Sequence, residues 1–234
     1  MKKQFWYFIF LLFYIGTLPV QGKITLPAIL SDNMVLQQKA QVRFWGKARP
    51  GEKVTVSTSW DKNIYTVQTP TDGHWEVKIK TPGVMDNQTL TVKGENTITI
   101  HNILIGEVWL CTGQSNMEFP VARDPNVKWK TGILNETEEM KDADYPSIRL
   151  FHVEHQLAPE GEKEDCIGRW LVCTPENVKE FSAVGFIFGR KLYKELQMPV
   201  GLIQSTWGGT HAESWTERRV MKDNPLYADV MEEF

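Results

Sequence analysis

Cysteine is scarce in this chain. The 234 residues hold three, at 111, 166 and 173, and no Cys-x-x-Cys pair or Cys/His cluster has the spacing of zinc ligands. Cys166 and Cys173 are close enough to close a short loop, so a disulfide between them is an expectation that only geometry can decide. Cys111 lies in an apolar run, where a buried thiol is inert. Charge of one sign is also lacking: Lys+Arg 26 against Asp+Glu 29 gives a formal net charge of -3. There is therefore neither a basic stripe nor an acidic tail, and nothing points to nucleic acid or an anionic membrane as partner. Long hydrophobic runs are missing too. The apolar stretch Phe5 to Ile15 falls short of the ~20 residues a spanning helix needs. With Lys2 and Lys3 before it and Thr17-Leu18-Pro19-Val20-Gln21-Gly22 after it, the stretch reads as a signal peptide cleaved near Gly22. Export to the periplasm or the medium, with no membrane span in the mature chain, is the expectation.

The remaining length suits two domains, each with its own core. From Lys23 to about His101 the pattern has period two. In "HWEVKIK", Trp75, Val77 and Ile79 share one face, and His74, Glu76, Lys78 and Lys80 the other. Val54 and Val56, Leu90 and Val92, and Ile98 and Ile100 repeat the alternation. Turn signals at Pro50-Gly51, Asp72-Gly73 and Pro82-Gly83 separate the runs. Residues 23–101 are thus expected to form a small all-β, sandwich-like module.

The pattern changes in residues 102–234. "FSAVGFIFGRKLYKEL" predicts a helix with Val184, Phe188, Leu192 and Leu196 on its apolar face and Ser182 as N-cap. "PVGLIQSTW" follows as a buried strand and ends at the turn Gly208-Gly209. "NETEEMKDADYP" reads as a solvated helix or loop, and "SIRLFHVEHQ" as a strand on which His152 and His155 point to opposite faces. Trp170 reads as a core or rim aromatic. Strand, loop, helix and strand is the grammar of an α/β layer with parallel strands, whose ligand sites lie at the carboxyl ends of the strands.

Ser115 stands at such an end. The run Ile103 to Cys111 leads into Gly113-Gln114-Ser115-Asn116-Met117, where Gly113 permits a tight turn. A serine hydroxyl needs a base to take its proton and donors to receive the oxyanion formed on the attacked carbonyl. A turn at the start of the next element offers the backbone N–H of Ser115, and the turn at Gly208 offers another. Met117 stands where the nucleophile elbow Gly-x-Ser-x-Gly demands glycine, so the motif is not that of the α/β-hydrolases.

"GQSNM" and "VGLIQSTWGGTHAESW" closely resemble the sialate O-acetylesterase group of the SGNH (GDSL-like) hydrolase superfamily. "FSAVGFIFGRKL" is similar to the helix before that group's Gly-Gly strand, and "LPAILSDNMVLQQ" resembles its N-terminal region. The resemblance implies a flavodoxin-like three-layer α/β domain behind the β-module. It implies hydrolysis of acetyl esters on sialic acids or other glycans, without metal or cofactor. Ser115 is then the nucleophile and one oxyanion donor through its own N–H, and Gly208 the other donor. Glu213 and Trp215 match the "AESW" stretch and support the loop.

Two blocks of the family pattern are not found: a Gln-Gly-Glu-x-Asn stretch, and an Asp-x-x-His that supplies the base and its acid. His155 and His211 are the substitutes that could be named. The expectation is the N-terminal part of a longer esterase, with an incomplete sheet that leaves exposed edges and apolar surface. The alternative is a non-catalytic secreted glycan-binding protein or a degenerate hydrolase relic.

Overall fold

The computed structural model describes residues 23–158 and 161–233. The signal-peptide expectation concerns residues 1–22 and lies outside them. Seven strands come first: β1 (Val35–Gln37), β2 (Gln41–Lys47), β3 (Lys53–Thr58), β4 (Ile64–Gln68), β5 (His74–Lys80), β6 (Met85–Lys93) and β7 (Thr97–Gly113). There follow α1 (Ser115–Glu118), α2 (Glu136–Lys141), β8 (Tyr145–His152), β9 (Trp170–Cys173), α3 (Ala183–Leu196), β10 (Val200–Thr206), α4 (Arg218–Lys222) and α5 (Ala228–Glu233). None of the described helices is long and apolar enough to cross a membrane.

The alternating segments form the strands their period requires. Trp75, Val77 and Ile79 of β5 are buried, and the charged residues between them are exposed. β2 and β5 make a two-stranded antiparallel sheet. Phe44, Trp75 and Ile79 share one core with Val54, Val56, Leu90, Val92 and Ile100 of the larger sheet. Two sheets facing each other across a common apolar layer constitute the sandwich-like half.

The larger sheet runs β4-β3-β6-β7-β10-β8-β9, with β1 also paired to β7. β10 is parallel to both β7 and β8, whereas β3, β4 and β6 are antiparallel neighbours and β9 is antiparallel to β8. The sheet is therefore mixed, with a parallel centre, and helices accompany it. The division at residues 101 and 102 falls inside β7. This 17-residue strand pairs with β6 in its first half and with β10 in its second. One backbone ladder thus crosses both halves. From Trp109 onward β7 pairs, among the described residues, with β10 alone, and Trp109 and Leu110 are exposed there.

Three expectations are corrected. Ser182 does cap α3, its hydroxyl accepting from the N–H of Gly185 at 3.0 Å. The buried face, however, is Ala183, Gly185, Phe186 and Gly189, and Val184 is 51% exposed with Phe188 and Leu196 also turned outward. Small residues let α3 lie close to β10: a Cβ at Gly189 would come within 2.4 Å of the Leu202 side chain. Close approach, not an apolar stripe, decides this face.

The second correction concerns the cysteines. All three are free thiols, Cys173 being buried with its Sγ 3.6 Å from the carbonyl oxygen of Ala143. The third concerns "SIRLFHVEHQ": β8 ends at His152, so His155 lies beyond the strand and the opposite-face argument does not apply to it. Ile148 to Phe151 are buried in succession because both faces of β8 are covered. α2 has no buried residue and is the solvated helix of the two readings given for its segment. Trp170 belongs to the core, its indole N–H donating to the carbonyl of Ile29 at 2.8 Å.

Candidate active site

The parallel strands β7, β10 and β8 all end on one side of the sheet, and the chain turns sharply there. Gly113 ends β7 with φ +143, a conformation that side chains rarely adopt, and Ser115 opens the single turn of α1. The Trp207 N–H donates to the carbonyl of Gly113 at 3.1 Å and so ties the turn after β10 to the turn after β7. Ser115 and Gly208 are brought together by that tie. A Cβ built on Gly208 would stand 3.5 Å from Ser115 Cα and 3.6 Å from Ser115 Cβ.

Both backbone donors proposed for an oxyanion already hold an acceptor from the chain itself. The Gln114 side-chain oxygen accepts from the Ser115 N–H at 3.0 Å and from the Ser115 hydroxyl at 2.6 Å. The Gly208 N–H donates to the carboxylate of Glu118. Glu118 is buried, at 6% exposure, and was missed in the sequence. A signal was present, since three residues after Ser115 is one helical turn and returns a side chain to the same face.

His155 closes the far side of Glu118. Its Nε2 lies 3.5 Å from Glu118 Oε1 and 2.7 Å from the carbonyl oxygen of Thr206, and its ring stacks on Trp207 at 4.3 Å. The carbonyl can only accept, so Nε2 carries the hydrogen and is no free base for the serine. His211 is exposed at the start of a 3₁₀ turn, Ala212–Trp215. Among the described residues neither histidine is hydrogen-bonded to Ser115. His152 is pushed below its ordinary value by burial, and further by the neighbouring His155. No group of three or more His, Cys, Asp or Glu among the described residues could hold a metal.

The surrounding contacts hold the two turns. Gln204, fully buried in β10, accepts from the Ser182 N–H at 2.7 Å and donates to the Thr206 hydroxyl at 3.0 Å. The Ala183 N–H donates to the carbonyl of Phe119 at 2.8 Å, so the exit of α1 is fixed to the start of α3. In the second loop, the Trp215 indole donates to the Thr210 hydroxyl at 2.8 Å, and that hydroxyl donates to the Trp207 carbonyl at 2.7 Å. Glu213 holds the same loop by accepting at its backbone carbonyl from the Thr216 N–H.

A strand-end serine set against a second glycine turn, on a mixed sheet with a parallel centre, places a hydroxyl and two backbone N–H groups at the carboxyl ends of parallel strands, where ligand sites of α/β folds lie. Residues 105–234, more than half of the chain, match the profile of the family described as carbohydrate esterase, sialic acid-specific acetylesterase. The chain belongs to that family. It is 38% identical to the sialate O-acetylesterase of Pongo abelii, 37% to that of Homo sapiens and 36% to that of Mus musculus. Each alignment covers 82% of this chain, but only 39%, 39% and 37% of the respective relatives, so the chain spans well under half of their length. A crystal structure of a carbohydrate acetylesterase from Xanthomonas citri superposes with a TM-score of 0.76 at 30% identity, covering 86% of this chain and 44% of that one.

Proposed function

We propose that this chain carries the nucleophile and the oxyanion donors of a serine-dependent carbohydrate O-acetylesterase, acting on O-acetylated sialic acids or other acetylated glycans outside the cytoplasm. The apposition of Gly208 to Ser115 is the observation that carries the reading. In the reaction, Ser115 Oγ attacks the acetyl carbonyl carbon and gives its proton to a base. The N–H groups of Ser115 and Gly208 receive the oxyanion, the sugar oxygen leaves as an alcohol, and water then releases acetate from the acyl-serine. The Asp-x-x-His of the family pattern is not among the 234 residues. Hydrolysis of a simple acetyl ester by residues 23–234 alone is therefore expected to be weak.

The test is acetate release from O-acetylated sialic acid by the protein made from its native reading frame. Ser115→Ala should abolish it while the fold, followed by circular dichroism, stays intact; undiminished release by that variant would sink the assignment. One observation favours the non-catalytic glycan-binding reading instead, namely that both backbone donors are satisfied internally. No acetate release by the wild-type protein would decide for it.

A further inference from the structure

The N-terminal half contributes directly to a cleft that reaches Trp207, the residue before Gly208. This cleft, of about 450 Å³, opens at the ends of β8 and β10, with Ser205, Thr206 and Trp207 in one wall. Pro27, Ile29 and Trp45 of the sandwich-like half also line it. A cleft of this size between two parts of a chain is where small ligands preferentially bind.

Its chemistry narrows the ligand. Trp45 is 36% exposed and lies on the outward face of β2 beside the exposed Arg43 and Lys47, a face on which core packing does not call for an indole. Trp215, 40% exposed, enters the same cleft with its ring held by the Thr210 hydroxyl. Partly exposed indoles offer flat apolar faces with only two side-chain torsions to order. The polar lining is acidic, with Glu154, Glu164 and Asp165 against a single ammonium at Lys163. Asp165 is occupied in pinning the loop to the N–H of Ala28, and Glu164 in an ion pair with Lys47. Glu154 is exposed at the rim and can accept from ligand hydroxyls. An anion meets an unfavourable field here, whereas a neutral sugar ring has apolar C–H faces for the indoles and hydroxyls for the carboxylates.

We propose that this cleft is a subsite for a neutral pyranose of the glycan that carries the acetyl ester, gripped between Trp45 of the N-terminal half and Trp215 of the second loop. The proposal rests on the esterase reading for the acetylated ligand, but the cleft binds sugar without turnover. Specificity then comes in part from the β-module, and a sialic acid carboxylate is kept out of this cleft.

Equilibrium binding tests it. The purified protein is titrated with two neutral disaccharides, lactose and cellobiose, and with free N-acetylneuraminic acid, followed by tryptophan fluorescence and by saturation-transfer NMR. At least one neutral sugar should bind, and more tightly than the acid. Trp45→Ala and Trp215→Ala should each weaken it about tenfold. Trp45→Phe should retain most of the affinity, and the surface variant Glu154→Lys should shift the preference toward the acid. Absence of neutral-sugar binding, neutral-sugar affinity unchanged in both alanine variants, or binding of the acid that is tighter and is weakened by both alanine variants would overturn the proposal. None of those results bears on Ser115-dependent acetate release, which tests the esterase reading separately.

Discussion

The N–H of Gly208 donates to the buried carboxylate of Glu118, and this bond joins the turn after β10 to the helical turn that starts at Ser115. The carboxylate thus stands where a backbone donor would meet an oxyanion, and it must yield that N–H before Gly208 can serve as one. Its role at rest is to hold the second loop. Glu118→Ala leaves the Gly208 N–H without its acceptor and should lower stability by about 1–3 kcal/mol, while Glu118→Gln keeps an acceptor oxygen and should cost less. Urea unfolding of the two variants checks the order; equal midpoints would show that the bond does not hold the loop.

Gly208 itself is fixed by close approach. A methyl group there would lie 2.7 Å from Glu118 Oε2 and within ordinary contact of Ser115. Gly208→Ala should therefore displace the loop, with a loss of acetate release on the order of 10²-fold, the scale of one lost oxyanion donor. Steady-state rates with O-acetylated sialic acid measure this, and a rate within twofold of the unaltered protein would remove Gly208 from the site.

Strand-by-strand burial in the first half was legible because each half-buried strand writes its own period. Trp75, Val77 and Ile79 need no knowledge of their neighbours to be assigned inward. The face of α3 was not legible, because its contact surface includes Gly185 and Gly189, which carry no hydrophobic signal and act by letting Leu202 approach. Of the candidate site, Ser115 and Gly208 stood out through glycine turns at strand ends. Glu118 did not, since its partner lies 90 residues away and a glutamate in a polar stretch looks solvated. The continuity of β7 was hidden by a change of periodicity, which coincides with the switch from β6 to β10 as its neighbour.

The free cysteines carry a pH prediction. Burial pushes the Cys173 thiol from 9.0 up to about 12. The unfolded chain loses this proton first, so the stabilising contribution is complete below pH 9 and is lost as pH rises from 9 toward 12. Cys173→Ala should reduce the loss of stability across that window, read as unfolding midpoints at pH 8, 9 and 10. In the native protein at pH 8, a thiol reagent should modify the half-buried Cys166 before Cys173. Mass spectrometry of the intact protein should count three free thiols, and a mass lower by two hydrogens would restore the disulfide.

Arg149 provides the last prediction. It is a buried cation in β8, at 3% exposure, and burial lowers its pKa from the ordinary arginine value. Its guanidinium donates to the carbonyl of Pro146 at 3.2 Å and to the side-chain oxygens of Asn33 and Asn102 at 3.3 Å each. Both asparagines hold positive φ, 68° at the turn before β1 and 55° within β7, so one side chain of β8 fixes two left-handed backbone positions, one of them in the sandwich-like part. Arg149→Ala leaves a cavity and takes the donor from the Asn102 side-chain oxygen, while the Asn33 oxygen keeps the Asn102 amide as donor at 2.7 Å, and should cost about 2–4 kcal/mol. Arg149→Lys should recover only part of this, because a single ammonium cannot reproduce the planar spread of donors. Hydrogen exchange distinguishes the route: the amides of His101 and Asn33 should lose protection along with the strand β8, and a loss confined to β8 would show that the asparagine contacts do not couple the two halves.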